Sequence, residues 1–235
     1  MWRAWLSLDR KQFVRDPVLF ISVVLPIGFM FTVAKGVPLF EKITAFSIYP
    51  HLPYLLSIFL LMTPITLGMM LGMFMLEERD EMLVMYLAVT PLGRGRYVVF
   101  RIGLPLLITM MLLILLVLVF PVPSLHRWKV FLFLLTSALE IPLMALTMLS
   151  FASNRLEGLA VAKMLNFMLL PSIVLYFFPT NWNGLALIFP TYWISQGVLA
   201  LAENHNTFWG YWLGGTSYHV LLIWGLFRKF FRSIE

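Results

Sequence analysis

The chain has no cysteine, so no disulfide braces it, thiol chemistry is closed to it, and a Cys/His zinc site is excluded. Charge is scarce too: 12% of the 235 residues are Asp, Glu, Lys or Arg, against 61% hydrophobic. A soluble domain carries about a quarter charged residues. This chain has too few polar side chains to cover a folded surface in water. Lipid must be the solvent for much of it, in keeping with a mean hydropathy of +0.90. Acids are scarcer than bases, 11 against 17. The resulting pI near 9.7 is read topologically, because basic residues of membrane proteins collect on the cytoplasmic side. No nucleic-acid partner is expected. None of the 14 glycines is followed by the Lys-Ser or Lys-Thr of a phosphate-binding loop. No repeat, low-complexity tract or linker is visible, so 1–235 reads as one domain.

What the chain does have is long apolar runs. Residues 1–16, MWRAWLSLDRKQFVRD, interleave Arg3, Arg10, Lys11 and Arg15 with Trp2, Trp5, Leu6 and Phe13. That is the pattern of a basic amphipathic helix lying in the membrane interface. The charged stretch is long and no small-residue cleavage site follows it, which argues against a secretory signal peptide. Apolar runs cover roughly 17–34, 53–76, 98–120, 129–152, 159–178 and 208–227. Each is near the ~20 residues that a helix needs to cross the hydrocarbon.

Between Met164 and Ala202 there is no Asp, Glu, Lys or Arg, enough chain for two crossings. PTNWNG at 179–184 and then Pro190 interrupt it. With six spans and the amino terminus inside, 13 of the 17 basic residues fall inside, and Lys35, Lys42, Arg127 and Lys129 outside. Seven spans would move Arg228, Lys229 and Arg232 outside. The expected fold is therefore an all-α integral membrane protein with six transmembrane helices and both termini cytoplasmic. Residues 180–207 form an outer re-entrant hairpin. Non-helical backbone at depth survives only when buried in protein, so this hairpin is expected to pack on the other spans.

The stretch EERDEMLVMYLAVTPLGRGR, 77–96, becomes the first cytoplasmic loop. From Glu77 to Val89 it predicts three to four turns of helix, its acids in the first turns where the dipole favours them. Met82, Met85, Tyr86 and Val89 keep the i, i+3, i+4, i+7 spacing of one apolar face, widened by Leu83 and Leu87. Pro91 ends it. Such a helix could simply rest on lipid. But acids are repelled by an anionic inner leaflet, and a docking surface for a soluble partner explains them better.

This loop resembles the coupling region of the ABC-2 type exporter permeases. That family carries an acid-Arg pair, a Leu-rich short helix, then Thr/Ser-Pro-Leu and a basic residue. Here these are Glu78-Arg79, Leu83 with Leu87, Thr90-Pro91-Leu92 and Arg94. Met82 stands where the family often has glycine. The order of parts agrees along the whole chain, and its size and Thr-Pro-Leu are closest to drug-efflux permeases such as those for fluoroquinolones. The resemblance implies a permease subunit in a prokaryotic cell membrane, not itself an enzyme. Two separate ATPase subunits would bind ATP and Mg, and a second permease chain, identical or paralogous, would complete the pathway. The coupling residues would be Glu77, Glu78, Arg79, Met82, Met85, Val89, Thr90 and Pro91. The exported substrate would be drug-like, peptide or lipid-like.

Two rivals belong to other classes. An intramembrane protease of the CAAX-processing type needs Glu-Glu-x-x-x-Arg, and Met82 stands at the arginine position. An ion-driven secondary transporter needs polar residues and broken helices at mid-membrane in both halves. Glu140 and a few asparagines are the candidates for that. Glu140, beside Ile141-Pro142 in the fourth run, is either a contact for a cationic substrate or a protonated acid bonded to a neighbouring helix. Asn166 shares the candidate substrate pathway, although it and His219 read more readily as interhelix hydrogen-bonders. Thr63-Pro64 with Thr66 predicts a kink, and Gly68-x-x-x-Gly72 predicts a close helix approach, a candidate for packing between permeases.

Overall fold

A computed structural model describes residues 24, 26–44, 46–82, 93–120, 126–178 and 183–232. The expected interfacial helix 1–16 lies outside the described residues, as do 83–92 of the loop. Among the described residues every regular element is helical. A π-helical turn, Thr32–Gly36, leads into α1, Val37–Thr44, so much of the expected outer loop 35–52 is helix. The Glu41 carboxylate accepts the N–H groups of Ile48 at 2.6 Å and Tyr49 at 3.2 Å, which fixes the turn into the next helix.

Helix α2, Leu52–Asp80, has 29 residues. At ~1.5 Å per residue it outruns a hydrocarbon core of ~30 Å. The sequence predicted that this span stops at 76. It continues because Glu77, Glu78 and Arg79 are sound helix formers with no breaker before them. It ends at Met82, whose φ of 63° lies in the left-handed region. Next come α3, Gly93–Val119, α4, Arg127–Ala138, and α5, Glu140–Phe151. Helix α6, Arg155–Leu165, passes through a 3-10 stretch, Asn166–Leu169, into α7, Leu170–Phe177. The short α8, Asn183–Ala186, precedes α9, Pro190–Ala202, and α10, Phe208–Arg232, closes the chain.

Among the described residues four stretches are long and apolar enough to cross a membrane: Tyr49–Asp80, Tyr97–Val119, Arg127–Phe151 and Arg155–Phe177. Helix α10 has the length, 25 residues, but Gly, Tyr, Trp and His dilute its apolar character. The Arg127–Phe151 span is broken. Leu139 N–H bonds back to Thr136 O at 3.0 Å, a 3-10 contact, and Pro142 has no N–H to offer Ala138. In α2, the Thr63 hydroxyl donates to Phe59 O at 3.2 Å and the Thr66 hydroxyl to Met62 O at 2.9 Å, beside Pro64.

The centre of the fold is the contact of α2 with α5. A Cβ at Gly68 would lie 2.9 Å from the Cα and carbonyl oxygen of Ile141, and one at Gly72 would lie 2.8 Å from Met148 Sδ. The two backbones touch because neither position carries a side chain. This corrects the expectation that the Gly68/Gly72 pair packs one permease on another: its partner lies within the chain. The facing side of α5 is supplied by Ile141, Met144, Ala145 and Met148, all fully buried.

Helix α9 is 13 residues, ~20 Å long, too short to span alone. It packs on α10, where Trp193 covers Gly214 and Gly215, and on α2 and α4. The turn before it reaches the middle of α10: Tyr218 donates to Ile188 O at 2.7 Å, and Trp193 Nε1–H donates to Leu187 O at 3.0 Å. Two carbonyls left free by the turn are thus satisfied by side chains. Aromatic and basic groups mark both ends of α10. Lys129 Nζ lies 4.5 Å from the Phe208 ring near Trp128 and Trp209. At the other end Arg228 stacks 3.8 Å over Trp224 and Lys229 sits 3.3 Å from Phe151. These are interfacial belts.

Adding a side chain at the α2–α5 contact should therefore cost stability where an equally helical glycine does not. Gly68→Val overpacks a backbone contact, expected to cost about 1–3 kcal/mol and to lower the midpoint of thermal unfolding in detergent. Gly103→Ala, where a Cβ meets nothing within 4 Å, should leave the midpoint unchanged or raise it.

Candidate functional site

Two polar sites stand out on this scaffold. The first lies where α2, α3, α5 and α6 end together. Glu77, Glu78, Arg79 and Asp80 form the last turn of α2, not the first turns of a separate helix as the sequence predicted. Acids at a helix C-terminus oppose the dipole, so cations must compensate. Glu78 pairs with Arg101 of α3 at 2.7 Å and accepts the hydroxyl of Tyr97. Glu77 pairs with Arg155 at 2.7 Å, and the Arg155 N–H donates to Asp80 Oδ2 at 3.0 Å. Arg79 donates to the carbonyls of Leu149, at 3.5 Å, and Ala152. Those carbonyls close α5 and have no donor further along their own helix.

The start of α6 is built by a capping box. Asn154 Oδ1 accepts the Glu157 N–H at 2.9 Å, and the Glu157 carboxylate accepts the Ser153 N–H at 2.7 Å. One turn of α2 thus clasps three neighbouring helix ends. Glu81 and Met82 stay exposed beside it, while Met85, Val89, Thr90 and Pro91 lie outside the described residues. The sequence singled out the acids but missed Asp80's role and the partners Tyr97, Arg101 and Arg155. The signal was available: Arg101 and Arg155 each stand near the start of an apolar run that follows the acids in sequence.

The second site is buried. Glu140, at the first position of α5, and His219 in α10 are both fully enclosed, with Nε2 and Oε1 3.1 Å apart. His219 Nδ1 lies 2.6 Å from the carbonyl of Gly215, so that nitrogen carries the proton and donates. Oε2 of Glu140 has no partner among the described residues. On the far side of the break, Thr136 and Thr216 share a hydrogen bond of 2.8 Å. The expectation that His219 bonds between helices holds. Asn166, by contrast, is exposed at the start of the 3-10 stretch and stands apart from Glu140. A small apolar crevice of about 10 Å³, room for no more than a water molecule, opens beside Pro64, between Phe29, Phe59, Met62 and Leu116.

The clasp ranks its own members. The Glu78 and Arg101 side chains are 15% and 10% exposed, whereas Glu77 and Arg155 are 34% and 54% exposed. Removing Arg101 strands a largely desolvated carboxylate, which costs on the order of 3 kcal/mol. Removing Arg155 breaks a solvated pair worth under about 1 kcal/mol. Arg101→Ala should therefore lower the unfolding midpoint clearly more than Arg155→Ala. Equal losses would show that the two pairs are equally solvated.

The family model described as "Fluoroquinolones export permease protein Rv2686c-like" matches residues 9–227. Two curated relatives are the proteins named fluoroquinolones export permease protein in Mycobacterium tuberculosis, in strain CDC 1551 / Oshkosh and in strain ATCC 25618 / H37Rv. Each is 28% identical over 238 residues, covering 94% of this chain and 90% of the relative. No solved structure matches. The match runs through all the helices that build both polar sites and leaves out only the first eight and last eight residues, so this chain belongs to the Rv2686c-like family of fluoroquinolones export permease proteins.

Proposed function

We propose that the chain is the transmembrane half of an ATP-driven exporter of the ABC-2 type in a prokaryotic cell membrane. The observation that carries this reading is the clasp: the last turn of α2 ties three other helix ends together and sits at the root of the loop 83–92, whose residues resemble the coupling region. A force applied to that loop would reach four helices at once. The clasp end faces the cytoplasm, both termini lie there, and six spans cross the bilayer with 180–207 as an outer hairpin. Two ATPase subunits bind ATP and Mg, and a second permease chain, identical or paralogous, completes the pathway. ATP closes the ATPase pair, and the permease conformation that fits the closed pair is favoured. The names of the relatives support a drug-like substrate, hydrophobic or amphipathic, over a peptide or a lipid-like one.

Within this reading Glu78 and Arg79 act by holding helix ends, and the apolar face from Met82 through Met85 to Val89 anchors in a groove of the ATPase. Met85→Asp should lose the co-purifying ATPase while the permease inserts normally. Retained co-purification and transport would mean that the loop rests on lipid. Single cysteines at 93, 182 and 233 test the topology in this cysteine-free chain. In intact cells a membrane-impermeant reagent should label 182 alone.

One observation favours a second reading, an ion-driven transporter: Glu140 and His219 form a buried carboxylate–imidazole pair beside a broken span. Transport that collapses on ATP depletion with the proton gradient intact supports the exporter. Transport that survives ATP depletion and fails with the gradient supports the alternative.

A further inference from the structure

The break at Leu139 divides one span into halves with different attachments. The α5 half is fixed to α2 by backbone contact at Gly68 and Gly72. Its far end is held by Arg79 at the carbonyls of Leu149 and Ala152. It therefore moves with the clasp. The α4 half packs mainly on α3 and on α9, where Phe133 fills the space left by Gly197, and meets α2 and α10 less extensively. Between them the backbone is weak. Leu139 makes a 3-10 contact and accepts the Leu143 N–H at 3.2 Å, and Pro142 removes one of the hydrogen bonds that would cross this point. The Ser137 hydroxyl donates to Phe133 O at 2.8 Å and the Thr136 hydroxyl to Leu132 O at 3.2 Å, back-bonds of the kind that bend helices.

A single unbroken helix lies across this weak point. Helix α10 reaches α4 through Thr216 and Thr136, at 2.8 Å, and reaches α5 through His219 and Glu140, at 3.1 Å. Thr216 and His219 are three residues apart and so share one face of α10. The two bonds straddle Leu139. A third contact, from the Ser150 hydroxyl to Leu226 O at 3.3 Å, holds the far end of α5 to the same helix.

We propose that α10 is a splint across a hinge at Leu139, and that the Thr136–Thr216 and Glu140–His219 bonds are the latches that hold the halves of the broken span in register. Glu140 and His219 are then positioning residues for transport, not ligands of the transported compound. Both groups are fully enclosed and bonded to each other. Opening one latch frees the α4 half to tilt against the α5 half, while the tight α2–α5 contact stays closed. Only the direction of drive, from the clasp outward, rests on the exporter reading. The hinge itself does not.

The test uses the full chain alone, in lipid nanodiscs. The natural chain has no cysteine, so two can be added for spin labels. Phe131 on α4 and Phe151 on α5 are both exposed and report the angle across the break. Leu107 and Leu118, exposed on the unbroken α3, form the control pair. The 131/151 pair should give one narrow distance in the parent and in Glu140→Gln, whose amide presents either a donor or an acceptor to Nε2. His219→Ala and Glu140→Ala should each add a second distance at 131/151 and leave 107/118 unchanged. An unchanged 131/151 distribution in His219→Ala overturns the proposal, and so does Glu140→Gln broadening as much as Glu140→Ala. Broadening at both label pairs also overturns it, since that is general unfolding. If His219→Ala is not recovered folded, Thr216→Val opens the milder latch. A second distance in that variant supports the hinge, and a single narrow one overturns it. Because no ATPase is present, these outcomes are independent of whether the exporter reading stands.

Discussion

Helix α2 touches α5 backbone to backbone, and the rest of the molecule is arranged around that contact. In lipid the hydrophobic effect gives helices no reason to associate, so packing and hydrogen bonds must do it. Gly68 and Gly72 supply the packing, because a Cβ at either would stand within 3 Å of the facing helix. Everything that leans on α5 then inherits a fixed frame. Glu140 is presented toward α10 because its helix is pinned on the opposite face. The α5 carbonyls at Leu149 and Ala152 come within reach of Arg79 because both belong to the same tight pair. Neighbours α3 and the α6–α7 span lie outside this pair and expose most of their apolar surface.

Charge plays the complementary part at one end. A chain with only 11 acids places four of them between Glu77 and Glu81 and ties three of those to cations or backbone donors on other helices. This is costly placement by the helix dipole alone, so the compensation from Arg101 and Arg155 is a condition of the arrangement. The result is four helix ends tied together by side chains of one turn.

Composition and run length were enough to read the class of the fold, because the number of consecutive apolar residues is a direct consequence of bilayer thickness. The short helix α9 was legible in part: PTNWNG and Pro190 interrupt the uncharged stretch from Met164 to Ala202, and α9 begins at Pro190. The packing of 180–207 on the other spans followed from backbone satisfaction, and Tyr218 and Trp193 supply it. Helix ends were less legible. Nothing local separates the acids that close α2 from acids that would open a new helix, since the decision is made by arginines 20 and more residues away. The break at Leu139 was hidden inside an apolar run, although Pro142 marked it. Glycines 68 and 72 announced a close approach without saying to what, and the partner proved to be in the same chain. Asn166 carried the same sequence signal as His219, yet only His219 faces another helix.

The bond from Tyr218 to the carbonyl of Ile188 has a consequence for the making of the protein. Its two ends are 30 residues apart, and the donor is synthesised after the acceptor. Trp193 likewise rests against Gly214 and Gly215, which do not yet exist when it leaves the ribosome. The hairpin therefore cannot reach its final depth as it is translated. That packing forms only once α10 offers both the Tyr218 hydroxyl and its smooth glycine face.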